Sequence, residues 1–113
     1  MSERGANLYL ADIENALAKI EQYTHGLSFE QFAANQLVID AVVRNFEIVG
    51  EAVRNISSET TLAHSDIPWE KMIGMRNKVI HEYFGVDEEI LWKTIQEDLP
   101  VFRGQITKIL KEV

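Results

Sequence analysis

One run of ten residues gathers the groups able to do chemistry: Arg76-Asn77-Lys78-Val79-Ile80-His81-Glu82-Tyr83-Phe84-Gly85. A histidine titrates near neutrality and can take or give a proton. An arginine is a fixed cation whose planar fork matches phosphate oxygens. Together they suit cleavage of RNA by its own 2′-hydroxyl. That reaction needs one proton removed, one delivered to the leaving 5′-oxygen, and positive charge beside the phosphorane. Asn77 could orient the histidine or the phosphate by hydrogen bonding. If the stretch is helical throughout, Asn77 and His81 share one face and Arg76 and Tyr83 another, at about 100° per residue. Arg76 and His81 are then about 140° apart around the axis. They could flank one ligand across an unwound helix end near Gly85, or in a two-fold dimer that brings two copies of each around one cleft.

Each of these residues also has an ordinary structural reading. A lone histidine near a helix end most often caps it or sits half-buried with its hydrogen bonds met. Arg76 could pair with Glu47 or Glu51, and Tyr83 and Phe84 could be core aromatics. Trp69, Met72 and Met75 read as packing residues, and His25 and His64 fall in loops with no assigned role. The chain has no compact His/carboxylate cluster suited to a metal, so neither metal nor cofactor is expected.

The elements that must position this stretch read as helices. Leu10, Ile13, Leu17 and Ile20 recur at three- and four-residue spacing, with Ala16 inside the stripe, so a first helix is expected over about 6–23. Gly26 is a natural left-handed cap after it. Ser28 with Gln31 three residues later is a capping-box pattern. It opens a helical region reaching about Ile56, with a break near Asn35 as one option. Ile39, Val42, Val43, Phe46, Val49, Val53 and Ile56 form its apolar face. Arg44, Glu47, Glu51 and Arg54 fall within one sector of about 80°. That stripe is either a solvated face with helix-surface ion pairs or a polar wall beside the active stretch, with Glu51 and Arg44 in supporting roles. Gly50 lies mid-helix, where glycine costs roughly 1 kcal/mol against alanine. Close approach of the third helix would explain it; a tolerated glycine is the alternative.

Residues 57–67 are polar and are expected to be mostly loop. A third helix is expected over about 68–83, with a bend at Gly74 as an option, opened by Pro68 and ended by Gly85. Asp87 should cap a fourth, with Glu88 and Glu89 in its first turn and Leu91, Trp92 and Ile95 facing inward. Pro100 should open the last helix, with Phe102, Ile106, Ile109 and Leu110 inward. No segment alternates as a strand does. The expectation is an all-α antiparallel bundle of four to five helices, one domain over 1–113.

The whole-chain composition is that of an ordinary globular protein. The formal net charge of −7 counts against broad, non-specific nucleic-acid binding. It still permits a local cationic cleft, and an acidic exterior suits a stable protein partner. With no cysteine there is no disulfide frame, thiolate nucleophile or zinc-thiolate site. No signal-peptide pattern and no run approaching the ~20 apolar residues of a membrane span is seen, so a cytoplasmic protein is expected.

Arg76, four residues, His81, one residue and Tyr83 reproduce an R-x4-H-x-Y signature that resembles the HepT-like toxins of the HEPN superfamily. Asn77 directly after the arginine also looks like that superfamily. Phe46-Glu47-Ile48-Val49-Gly50-Glu51-Ala52 is similar to the family's central helix. Ile67-Pro68-Trp69 and Ile73-Gly74-Met75-Arg76-Asn77 are similar to its next helix, and Trp92 with Asp98-Leu99-Pro100 to the following segment. The likeness covers most of the chain, most clearly 44–100. It implies a HEPN-like helical homodimer with Arg76 and His81 as catalytic residues in a cleft at the two-fold axis. It implies metal-independent cleavage of RNA, tRNA or mRNA, by the toxin of a toxin–antitoxin pair. The implied antitoxin resembles a minimal nucleotidyltransferase, which in some pairs transfers AMP to the tyrosine matching Tyr83. Such an adenylate would set bulk and negative charge beside Arg76 and block the cleft. Two rivals remain from other classes: a catalytically silent HEPN module binding a nucleotide or a nucleotidyltransferase partner, and a purely structural helical dimer.

Overall fold

A computed structural model describes residues 3–81 and 85–112, with side chains except those of residues 3, 4, 6, 76 and 78–81. The chain is all-helical apart from one minimal strand pair. Helix α1 (Glu3–Thr24) is followed by α2 (Phe29–Ala33), α3 (Gln36–Arg54), α4 (Ser58–Ala63) and α5 (Trp69–Val79). Strands β1 (Ile80–His81) and β2 (Gly85–Val86) then pair antiparallel. Helix α6 (Glu88–Lys93) runs through a π-helical turn, Thr94–Asp98, into α7 (Leu99–Glu112).

The local signals explain the ends. Gly26 has φ +78°, a left-handed conformation open to glycine at little cost. Ser28 accepts from the Gln31 amide at 3.1 Å while the Gln31 side chain accepts from the Ser28 amide at 2.9 Å, so the capping box is complete. The break at Asn35 is real, and the Asn35 side chain caps α3 by accepting from the Val38 amide at 3.2 Å. Asp87 caps α6 by accepting from the Ile90 amide at 3.0 Å.

The core follows the apolar stripes. Leu10, Ile13, Leu17 and Ile20 of α1 meet Ile39, Val42, Phe46, Val49 and Val53 of α3. Met72 and Met75 of α5, Leu91 of α6 and Phe102, Ile106 and Ile109 of α7 complete it. Each such side chain contributes roughly 1.5–3 kcal/mol on burial. Val43, Trp92 and Leu110, expected inside, are only partly buried, and Trp92 packs on Phe29 and Phe32 with ring centroids 6.2 and 5.0 Å away. A polar clamp ties α1 to α7. The Glu14 carboxylate accepts from Arg103 Nε at 3.2 Å and from Thr107 Oγ1 at 2.8 Å, and Arg103 also bonds Glu21. The hydrogen bond to Glu14 chiefly raises the guanidinium pKa still further, against partial desolvation.

Four expectations need correction. Residues 57–67 are not mostly loop, because Ser57 caps a helical turn by accepting from the Thr60 amide at 3.3 Å. The Trp69 indole N–H reaches the Thr61 and His64 carbonyls at 3.2 and 3.0 Å and pins that turn's end. None of the α4 residues is buried, so no apolar period announced it. The third helix stops at Val79, short of Tyr83, and Gly85 sits in β2 instead of ending it. Val79-Ile80 is a β-branched pair that favours extended backbone. Nor is the chain without strands. Finally, Pro100 does not open a separate helix. It lies in the second residue of α7, where the missing N–H and the ring would disrupt the turn before it. The π-helical turn absorbs this, with the Leu99 amide bonding the Thr94 carbonyl five residues back.

Gly50 is where α3 and α5 come closest. A Cβ added there would lie 3.3 Å from the Ile73 carbonyl oxygen and 3.8 Å from its Cα. Gly104, in α7, has nothing within 4 Å of such a Cβ. The expected outcome is that Gly50→Val destabilises the protein by about 1–3 kcal/mol through overpacking. Gly104→Ala is expected to stabilise it by roughly 0.5–1 kcal/mol through helix propensity. Urea unfolding of both variants beside the wild type checks the pair of signs.

Candidate active site

The R-x4-H stretch bridges two kinds of backbone. Arg76 and Asn77 are in the last turn of α5, while His81 is in β1. The expected shared face for Asn77 and His81 required an unbroken helix and does not hold. Instead the chain turns back: Ile80 faces Val86 and His81 faces Gly85 across the ladder. Gly85 has φ +80°, where a larger residue would pay about 1–2 kcal/mol. Three residues join the strands, and tight hairpins of that length commonly carry a left-handed glycine. His81 is thereby fixed at the root of a reversal directly after the helix that carries Arg76. The positions of the Arg76 and His81 side chains, and all of Tyr83, lie outside the described residues.

Beside this stretch, α3 and α5 enclose a groove of about 290 Å³. It is lined by Phe46, Glu47, Gly50, Glu51 and Arg54 of α3 and by Ile73 and Asn77 of α5. Gly50, where the two helices approach most closely, is among the lining residues, together with the carboxylates, the guanidinium and the carboxamide. Asn77 is exposed at the groove. Of the supporting residues expected from sequence, the fold therefore brings Glu51 and Asn77 together. Arg44 is not among the described lining residues and pairs with Glu47 at 3.7 Å. Arg54 reaches Glu51 at 3.8 Å, and the Asn55 carboxamide lies 3.5 Å from the same carboxylate.

Both readings of the Arg44/Glu47/Glu51/Arg54 stripe thus have a counterpart. The pairs are exposed i,i+3 ion pairs, with side-chain exposures of 70% and 39% for Arg44 and Glu47 and 56% and 71% for Arg54 and Glu51. Such pairs contribute only a few tenths of a kcal/mol. Yet three of the four residues line the groove beside the motif. Glu47 and Arg54 were legible as members of the stripe, but which stripe residues reach the groove depends on the α3–α5 crossing. Among the described residues, no three histidines, aspartates or glutamates are grouped so as to hold a metal ion, and no helix is long and apolar enough to cross a membrane.

The family model described as "Ribonuclease HepT-like" matches residues 13–109. The chain is 45% identical over 103 residues to "Probable ribonuclease HepT" of Thermococcus cleftensis, covering 91% of this chain and 94% of that one. It is 40% identical over 104 residues to "Putative RNase TTE0752" of Caldanaerobacter subterraneus subsp. tengcongensis, covering 92% and 93%. No solved structure gave a significant match.

Because the stripe pairs are weak, Arg44→Gln and Arg54→Gln are each expected to leave stability within about 0.5 kcal/mol of wild type. Urea midpoints and slopes of the two variants measure this. A loss above about 2 kcal/mol would mean that the stripe holds the fold together.

Proposed function

The chain belongs to the HepT-like ribonuclease family, and from that premise we propose that it cleaves RNA without a metal, as the toxin of a toxin–antitoxin pair. The observation that carries the proposal is the R-x4-H-x-Y run standing where α5 gives way to the hairpin, beside an open groove. Arg76 and His81 are its catalytic residues. The 2′-oxygen attacks phosphorus as its proton passes to an imidazole. The P–O5′ bond then breaks, and the leaving oxygen collects a proton from an imidazolium. The products are a 2′,3′-cyclic phosphate and a 5′-hydroxyl. The Arg76 guanidinium neutralises charge on the phosphorane oxygens. Asn77 and Glu51 orient these groups from the groove, and Arg44 supports the wall through its ion pair with Glu47.

A two-fold homodimer would supply the second imidazole, so that one accepts while the other donates. The partner antitoxin is a nucleotidyltransferase-type protein. An adenylate placed on Tyr83 would compete with the RNA phosphate for Arg76. The same reading makes residues 1–113 one cytoplasmic domain.

The test is cleavage of end-labelled RNA by antitoxin-free protein, unmodified at Tyr83, in excess EDTA. Wild type should generate cyclic-phosphate ends. His81→Ala and Arg76→Ala should each lower the rate by at least about 10²-fold, with far-UV circular dichroism unchanged. RNA left intact by the wild type, or cleavage that persists in both variants, would contradict the proposal. Sedimentation of the same samples should give twice the monomer mass.

A further inference from the structure

We propose that the outward ridge of α3 is the contact between two copies of this chain, laid antiparallel about a two-fold axis at Ile48. This rests on the two-fold arrangement of the ribonuclease reading above and concerns which surface makes it.

The ridge is set by spacing. Leu37, Ala41, Arg44, Ile48, Glu51 and Asn55 follow one another at intervals of four, three, four, three and four residues. At about 100° per residue they stay within one sector of about 80° along the helix. Two helices that lie along each other meet through residues at this interval. Helix α3 turns its other faces to α1 and α5. Leu37 is 84% exposed, more than any other large apolar side chain described, and it continues an apolar line with the half-buried Ala41 and Ile48.

The charges then choose the partner and its direction. Asp40, Arg44, Glu51 and Arg54 alternate in sign along the helix. A parallel copy would set each charge against its like. An antiparallel copy, with the axis between Glu47 and Ile48, sets Arg44 level with Glu51 of the second copy. Asp40 then stands within about 1.5 Å of the level of the second copy's Arg54. Each contact occurs twice, as a two-fold interface requires. Ile48 meets Ile48 of the second copy at the axis. Glu47 also faces its like there, but keeps Arg44 of its own chain at 3.7 Å. The pairs within each helix survive, because a carboxylate has about four lone-pair sites. Glu51 holds Arg54 of its own chain at 3.8 Å and accepts from a second guanidinium as well. Asp40, which accepts from Gln36 at 2.7 Å, has the same capacity.

This pairing also serves the site. Trp92 of α6 packs on Phe29 and Phe32 of α2, so the chain that leaves α5 returns to the start of α3, and α5 runs antiparallel to α3. Ile73 is level with Gly50, and Asn77, one turn on, is level with about residue 46. The R-x4-H stretch thus begins close to the level of the axis. A two-fold axis perpendicular to both α3 helices puts both α5 helices on the same side of the pair. Two copies of the stretch then open on one face, which is what a second imidazole at one phosphodiester demands.

The chain has no cysteine, so a single introduced one reports its own neighbour. Oxidation of Ile48→Cys should give a covalent dimer on a non-reducing gel. Leu37→Cys should give none, because its two copies stand about 30 Å apart along the helices, beyond the reach of a disulfide. Arg44→Glu and Glu51→Arg should each weaken self-association in sedimentation at least about tenfold, since each brings like charges together twice. Mixed one to one, the two variants should sediment at twice the monomer mass, because every opposed pair is again unlike. A wild-type dimer in which Ile48→Cys does not link, or which both reversals leave intact, would overturn this interface and leave the ribonuclease reading standing. A wild type that cuts RNA as a monomer would overturn the interface together with the two-fold arrangement. A wild-type dimer that links through Ile48→Cys but leaves RNA intact would instead overturn the ribonuclease reading and keep the interface.

Discussion

The crossing of α3 and α5 at Gly50 is the constraint on which the other features depend. With no side chain at Gly50, the Ile73 backbone comes within 3.3 Å of where a Cβ would stand. Packed interiors give little room for even one extra carbon. That proximity fixes the height and rotation of α5 on α3. Gly50 and Asn77 both line the groove that the two helices enclose. The proximity also fixes the departure point of the hairpin, since β1 begins at the residue after α5 ends. A mid-helix glycine, unfavourable for α3 on its own, is thus explained by the element packed across it.

On the proposed ribonuclease reading, the hairpin answers a second demand, because a histidine that transfers protons must be held while remaining open to substrate. A continuous helix would have placed His81 about 140° from Arg76 around the axis. Ending the helix at Val79 and pairing His81 with Gly85 releases it from that angle. The change costs little, because Val79 and Ile80 are β-branched and Gly85 accepts φ +80°. The π-helical turn before Pro100 works in the same spirit. One local irregularity lets α6 and α7 continue as one element and carry Leu91, Phe102 and Ile106 into the core.

Much of this was legible in the sequence, for identifiable reasons. The stripes of α1 and α3, the capping box at Ser28, the Asp87 cap and the left-handed Gly26 are short-range signals with short-range causes. The role of Gly50 was legible as one of two options, because an unfavourable local choice asks for a tertiary reason. Helix α4 was not, because its support is a capping serine and an indole reaching back from Trp69. The end of α5 was misread because the spacing of Arg76, Asn77 and His81 is compatible with a helix. The competing preference lay in two β-branched residues and a pairing partner for His81 four residues on. At the site, residue types and family were readable from the chain. Membership of Glu51 and Asn77 in one groove, and the place of Arg44 outside its described lining, follow from an interhelical crossing that no local pattern encodes.

The central claim is that Arg76 and His81 act on one phosphodiester. The most direct measurement is the NMR signal of the His81 imidazole during titration with a short 2′-O-methylated RNA that cannot be cut. The expected result is a saturable shift in the wild type that disappears in Arg76→Ala. A His81 signal that ignores the RNA, or one that responds equally without Arg76, would contradict the claim.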